Sequence, residues 1–279
     1  MKNFACGVVT FYPDNKSIKR IEKYSSLFKY VLVYDNTPQD VADFDLLKSK
    51  PNVHVYANKK NDGLAIAYDF FVNKLSINNS ADFLCTMDQD SEFSSLDIKS
   101  MIKYINNSDM SKTAIIGPVI EYKDKSKTSK EEKITNKRYL ISSGSFLNLS
   151  LLKSENISFD FNYFIDRVDT DICMQCIRKG YRVVEYSGSV LYQTLGQKVN
   201  FSKQGSHSYK RHYYMFRNRF YFNKKFIRNR VQRIVFNWLQ TFRQCVHILL
   251  IEPDKCKKIR QMIFALKDYR QNLMGRGRY

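Results

Sequence analysis

The 279-residue sequence predicts a doubly wound α/β domain, a mostly parallel sheet flanked by helices, followed by a basic helical C-terminal extension. Two observations carry this reading. Short apolar runs of strand length alternate with segments of helical apolar spacing through the first 120 residues, the order that βαβ units impose. The charge is also unevenly placed. From residue 201 onward 19 Lys and Arg stand against 3 Asp and Glu, whereas the first 200 residues are nearly neutral. The division follows as a body over residues 1–206 and a basic helical region over 207–279.

Taken in order, residues 4–11 (FACGVVTF) form a strand-like run that ends at Tyr12-Pro13. Residues 15–28 carry Ile18, Ile21, Tyr24, Ser25 and Phe28 at helical spacing. Residues 30–34 (YVLVY) are a second strand, stopped by Asp35-Asn36-Thr37-Pro38, and residues 53–56 a short third. Residues 64–75 read as an amphipathic helix, 83–87 (FLCTM) as a fourth strand and 114–120 as a fifth. The Lys-, Ser-, Thr- and Glu-rich stretch 121–138 reads as a mobile loop. A helix over 169–179 stops at Gly180. Residues 207–271 read as two or three basic helices.

With 43% hydrophobic and 26% charged residues, the chain buries a core and is not a disordered one. No signal-peptide pattern opens it, and no continuous run of about 18 apolar residues suggests a spanning helix. The expected location is cytoplasmic, with peripheral attachment to the inner face of the cell membrane as an option. Six cysteines are present, and the single Cys173-Met174-Gln175-Cys176 pair lacks partner ligands, so structural thiols are expected.

In doubly wound sheets, ligands gather beyond the carboxyl ends of the strands. Thr10, Asp35 and Asp88 stand at three such ends. Asp88-Gln89-Asp90 places two carboxylates there, which repel one another unless a cation lies nearby. A hard divalent ion bridges protein carboxylates to substrate phosphates and neutralises charge on a diphosphate leaving group. Asp169 and Asp171 fall at the start of a predicted helix, where a carboxylate is favoured as a cap or serves as a general base. Asp166 is a third candidate for the base.

Several short motifs, in this order and spacing, resemble an inverting glycosyltransferase of family 2 with the GT-A fold, and within it the bacterial rhamnosyltransferases of O-antigen and capsule assembly. The resemblance covers residues 4 to about 225. Val8-Val9-Thr10-Phe11-Tyr12-Pro13 and Asp35-Asn36 resemble the family's nucleotide-base contacts, and Asn61-Asp62-Gly63-Leu64-Ala65-Ile66-Ala67 resembles its NxGxAxA helix start. Met87-Asp88-Gln89-Asp90-Ser91 is similar to the DxD motif, which implies Asp88 near ribose and sugar and Asp90 on Mg²⁺ or Mn²⁺. Ser142-Ser143-Gly144-Ser145 resembles the segment that lines donor sugar and acceptor. The stretch from Phe164 to Asp171, ending in Arg178-Lys179-Gly180-Tyr181, resembles the catalytic segment, with Asp169 at the position of the base and Asp171 beside it. Arg217-Asn218, after Tyr213-Tyr214, is similar to the element near acceptor and pyrophosphate.

The resemblance implies a nucleotide-sugar donor, dTDP-rhamnose favoured, with a UDP-hexose or UDP-galactofuranose second. It also implies a glycan acceptor, lipid-linked in cell-surface polysaccharide synthesis. Two positions depart from the pattern. Gln193, in Leu191-Tyr192-Gln193-Thr194-Leu195-Gly196, stands where the family often has His, and Gln cannot become cationic. Val168 stands where an acid is common.

Other readings compete. The basic tail needs an anionic partner, and Tyr209, Tyr213, Tyr214, Phe216, Phe220 and Tyr221 could stack bases in a nucleic-acid-binding protein. The neutral body argues against nucleic acid as the partner. A nucleotidyltransferase would show a Gly-rich basic loop after the first strand, and Phe11-Tyr12-Pro13-Asp14 is not one. An inactive scaffold is a further reading, on Gln193. Residues 233–252 hold an apolar stripe with Arg233 and Arg243 among it, suited to an anionic membrane surface or to a homodimer contact.

Overall fold

A computed structural model of the chain describes residues 1–39, 43–77, 79–122, 132–193 and 208–278, except for the side chain of Tyr122. It forms two compact units, Met1–Phe159 with Asp169–Thr194, and Asp160–Val168 with Leu195–Tyr279.

The first unit is built on a mixed sheet in the order β3-β2-β1-β4-β8-β6-β9-β5. Strands β1 (Phe4–Thr10), β2 (Tyr30–Asp35), β3 (Val53–Ala57) and β4 (Phe83–Asp88) run parallel. Every residue of β1 is buried, which explains why it reads as a continuous apolar run and not as an alternation. Helix α1 (Asn15–Ser25) is capped by Asp14, which accepts the Ser17 N–H, and it buries Ile18, Ile21 and Tyr24. A short helix α2 (Asp45–Lys48) precedes β3. Helix α3 (Leu64–Ile77) leads into β4, and the two-residue β5 (Glu92–Phe93) follows it.

The direction then reverses. Strand β8 (Ser145–Asn148) runs antiparallel to both β4 and β6 (Thr113–Tyr122), while β6 and β9 (Arg182–Gln193) form a long parallel ladder. Helix α4 (Ser95–Asn107) is capped by Ser94. The stretch expected as a mobile loop contains β7 (Ile134–Asn136), paired antiparallel with β9. Thr135 and Asn136 of this strand are exposed, which is why composition alone marks it as loop; residues 123–131 of the stretch lie outside the described residues. Helices α5 (Leu149–Ser154) and α6 (Val168–Arg178) complete the described elements before β9.

The second unit gathers α7 (Tyr209–Phe226), α8 (Arg230–Ile251) and α9 (Lys255–Arg270). Its core holds Tyr213, Tyr214, Phe216, Ile248, Met262 and Ala265, with Phe164 stacked on Tyr214 at 5.2 Å between ring centroids. A buried ionic knot joins its helices. Glu252 accepts from Lys258 Nζ at 2.5 Å, from His212 Nε2 at 3.0 Å and from His247 Nδ1 at 2.8 Å. The absence of a continuous apolar run hid one property of α8. Polar residues interrupt it, yet its 22 residues are long and apolar enough, by length and composition, to cross a membrane.

Candidate active site

Strand pairing brings the predicted strand-end residues together. Thr10 lies opposite Asp35 on β2, and Val9 lies opposite Asp88 on β4. Asp35 is 3% exposed. Its Oδ1 accepts from Thr10 Oγ1 at 2.9 Å and Thr37 Oγ1 at 2.7 Å. The neighbouring Asn36 ties down the loop before α3, donating from Nδ2 to the Gly63 carbonyl and accepting the Asp62 N–H at 3.0 Å. Asn61 accepts the Gly63 N–H through its own side chain. Thus Thr10, Asp35, Asn61 and Gly63 belong to one hydrogen-bonded edge, with Phe11 exposed at its lip.

The Asp88-Gln89-Asp90 turn is fixed at its middle. Gln89 Oε1 accepts the Phe11 N–H at 2.8 Å, and Nε2 donates to the Phe11 carbonyl at 3.0 Å. A primary amide supplies both donor and acceptor, so Gln89 holds the end of β1 as a strand neighbour would. Arg20 donates to the Gln89 carbonyl from α1. Beside this fixed middle, Asp90 is exposed. Asp88 is half-buried, and its N–H donates to Ser143 Oγ at 3.1 Å. Ser143 in turn donates to the buried Ser91 at 2.8 Å.

The segment Ser142–Ser145 reaches this place by a turn at Gly144, whose φ is +79° and whose N–H donates to the Thr86 carbonyl at 2.7 Å. Side chains at that φ are strained, and a Cβ would lie 2.8 Å from Leu191 and 3.0 Å from Pro118.

Asp169 occupies the second position of α6 and is half-buried, its Oδ1 accepting the N–H of Thr170 at 2.7 Å. Tyr68 of α3 relates it to the strand ends. The Tyr68 hydroxyl donates to Asp88 Oδ1 at 3.3 Å. Burial raises its phenol well above the usual value, the Asp88 charge adds to this, and the Asp169 charge acts in the same direction. One buried phenol therefore stands in the field of both carboxylates.

Gln193 lies beside the Asp88-Gln89-Asp90 turn, because its neighbour Tyr192 pairs with Glu92 of β5. It ends β9, half-buried, and Thr194–Gly196 of its motif lie outside the described residues. Asp171 is buried, with Oδ2 accepting from Gln175 Nε2 at 2.6 Å on the same helix. Cys173 and Cys176 are buried free thiols, and burial pushes Cys176 up to about 12.

Arg217 and Asn218 belong to the second unit and are fully buried. Arg217 donates to the carbonyls of Leu273 and Gly275, and Asn218 to those of Ile165 and Asp166. Asp166 accepts from Arg211 at 3.2 Å in that unit. Of the aromatics able to stack bases, Tyr213, Tyr214 and Phe216 are core residues.

No group of three or more His, Cys, Asp or Glu able to hold a metal occurs among the described residues. Asp90 is nonetheless suited to one. Its side chain is exposed and has no hydrogen-bond or ion-pair partner among the described residues. A hard cation at such a site takes one or two carboxylates and completes its shell from phosphate and water. Sequence reading assigned no role to Gln89 and Ser91 within the DxD motif and did not point to Tyr68. The amide in Gln89 was the one visible signal, since a turn held by both donor and acceptor needs such a group.

The model of the family described as glycosyl transferase family 2 matches residues 16–165. The dTDP-rhamnosyl transferase RfbF of Shigella flexneri is 26% identical over 99% of this chain and 98% of its own length. Among solved structures, S. aureus TarS 1-349 in complex with UDP-GlcNAc superposes with a TM-score of 0.60 at 15% identity, over 97% of this chain and 81% of that one. GalNAc-T7 with UDP, GalNAc and Mn2+ gives 0.56 at 10% identity, over 79% of this chain and 51% of that one. Both share the fold, a mostly parallel sheet flanked by helices in the GT-A manner. The chain belongs to glycosyl transferase family 2.

Proposed function

We propose that the chain transfers a sugar from a nucleotide-diphosphate donor to a lipid-linked glycan acceptor in bacterial cell-surface polysaccharide synthesis. Rhamnose from dTDP-rhamnose is the favoured donor sugar, in keeping with the relative from Shigella flexneri. A UDP-hexose or UDP-galactofuranose is second, in keeping with the UDP-sugar bound by the TarS structure. The observation that carries the reading is the buried Tyr68 hydroxyl, which donates to Asp88 Oδ1 at 3.3 Å and on which the Asp169 charge also acts. In this reading a donor-side carboxylate and a candidate base act on the same phenol.

In this reading Thr10, Phe11 and Asp35 receive the base and ribose, Asn61 and Gly63 shape the loop at the start of α3, and Asp88 meets ribose or sugar. The Ser143–Gly144 turn lines the sugar. Asp90 would hold Mg²⁺ or Mn²⁺, which when bound would neutralise charge on the departing diphosphate. Asp169 takes the proton from the acceptor hydroxyl as it attacks the anomeric carbon, giving inversion in a single displacement. The transition state has oxocarbenium character, and the base contributes roughly 10²–10⁴-fold.

A thermal-shift comparison of dTDP-rhamnose, dTDP, UDP-glucose, UDP-galactofuranose and a single-stranded oligonucleotide, each with Mn²⁺, tests it. Stabilisation by dTDP-rhamnose above the others is expected. Stabilisation by the oligonucleotide alone would refute it.

A further inference from the structure

Helix α8 is built inside out. At 100° per residue, the side facing α7 carries Asn237, Thr241 and Gln244. Asn223 Nδ2 donates to Asn237 Oδ1 at 2.7 Å. Arg219 donates to Thr241 Oγ1 at 3.0 Å and to Gln244 Oε1 at 2.9 Å. Gln244 Nε2 meets His212 Nδ1 at 3.1 Å. This side turns apolar only near the C-terminal end, at the fully buried Ile248.

The opposite side gathers Val235, Trp238, Leu239, Phe242, Leu249 and Leu250 within an arc of about 120°. All six are at least half exposed among the described residues, Trp238 at 72%. A surface helix in water shows the reverse order, apolar inward and polar outward. A contiguous apolar face of this kind marks an interaction surface.

Charge identifies the partner. Arg228, Arg230, Arg243, Lys255, Lys257 and Arg260 are exposed along and beside α8. Of the three acids after residue 208, Glu252 is buried in the ionic knot, Asp268 accepts from Tyr213, and Asp254 alone is exposed. From these observations we infer that the outward face of α8 seats on an anionic phospholipid membrane, with the helix lying along the interface. A second copy of the chain would cover the apolar face but would bring like charges together.

The helix is about 33 Å long, enough to span a bilayer. Spanning would set Arg243 and the polar inward side at mid-membrane, where such groups are disfavoured. Lying flat lets Arg243, at the margin of the arc, extend its alkyl stem over the lipid and keep its head among phosphates.

Trp238 is the only tryptophan in the sequence, so its emission reports on this face alone. The full chain is titrated with vesicles of phosphatidylcholine, with and without phosphatidylglycerol. A blue shift with the anionic vesicles is expected, weakening as salt rises, with shallow brominated lipids quenching more than deep ones. The Leu239→Ser/Phe242→Ser double variant changes exposed positions only, and its far-UV circular dichroism is compared with that of the parent. It should lower the partition by on the order of tenfold or more.

Four results would overturn the inference. These are no shift with anionic vesicles, an equal and salt-independent shift with neutral ones, strongest quenching by deep lipids, or a concentration-dependent dimer that the double variant abolishes without any vesicle binding.

Discussion

Gly144→Ala tests whether the Ser142–Ser145 turn is a strained device that sets the Asp88 strand end. Two costs combine there. A non-glycine residue at φ +79° costs about 1–2 kcal/mol. The new Cβ would sit 2.8 Å from Leu191 and 3.0 Å from the Pro118 ring. Leu191 is fully buried and a proline ring has little freedom, so overpacking adds about 1–3 kcal/mol.

Gly180 supplies the matched control, because its φ is +86° yet, its chain neighbours apart, nothing among the described residues lies within 4 Å of where a Cβ would sit. Gly180→Ala therefore carries the backbone cost alone. The two variants should differ by about 2 kcal/mol, or about 6 °C in Tm at ~3 °C per kcal/mol for a unit of this size. Differential scanning calorimetry of both variants reads this difference directly. Gly144→Ala should also weaken binding of dTDP-rhamnose, since Ser143 accepts the Asp88 N–H, while Gly180→Ala should not. Equal Tm shifts, or undisturbed donor binding in Gly144→Ala, would refute the reasoning.

Three further outcomes are expected. Tyr68→Phe removes the hydroxyl that donates to Asp88, and should lower kcat/KM roughly tenfold, about the worth of one hydrogen bond to a charged group; steady-state kinetics showing no change would exclude Tyr68 as a positioning residue. Asp90→Ala should abolish the Mn²⁺ dependence of nucleotide binding in calorimetry while leaving the unfolding free energy within about 0.5 kcal/mol of wild type, as for other exposed positions.

The third outcome concerns pH. Burial lowers the pKa of His212 from its ordinary 6.5. Glu252 is held down to about 2 from 4.5: its burial acts upward, but hydrogen bonds from Lys258 and His212 outweigh it. Both folded values lie below the unfolded ones, so the unfolded chain binds more protons and stability is lost as the pH is lowered. Urea denaturation of the second unit, followed by far-UV circular dichroism, should weaken from about pH 6.5 downward for His212. It should weaken again from about pH 4.5 towards pH 2, as Glu252 protonates in the unfolded chain before it does in the folded one. A midpoint constant between pH 7 and pH 4 would contradict this.

The parts legible in sequence were those set by local pattern. The buried run of β1, the polar stops after β2 and β4, and the helical spacing of α1 and α3 need no distant partner to be recognised. Strand β9 escaped notice because Ser187-Gly188-Ser189 interrupts its apolar pattern, where its register against β6 jumps between Pro118 and Val119. The antiparallel β8 carries too few residues to announce a direction.

Long-range contacts account for what the local pattern left unread. Tyr68 reads as one more core aromatic beside Phe70 and Phe71 until α3 is seen against Asp88. The clasp of Gln89 on Phe11 depends on parallel pairing of β1 with β4. Arg217 and Asn218 look like ligand contacts by type, but residue type does not tell where donors go, and theirs go to backbone carbonyls. The inverted polarity of α8 likewise becomes visible only once α7 defines its inner side.

The central claim is that Asp169 acts as the base of a sugar transfer. Its most direct test is the rate at which saturating dTDP-rhamnose releases dTDP, with water standing in for the acceptor hydroxyl, in wild type and in Asp169→Asn. Loss of the base should slow release by roughly 10²–10⁴-fold with donor affinity unchanged. Release by Asp169→Asn at close to the wild-type rate would contradict it.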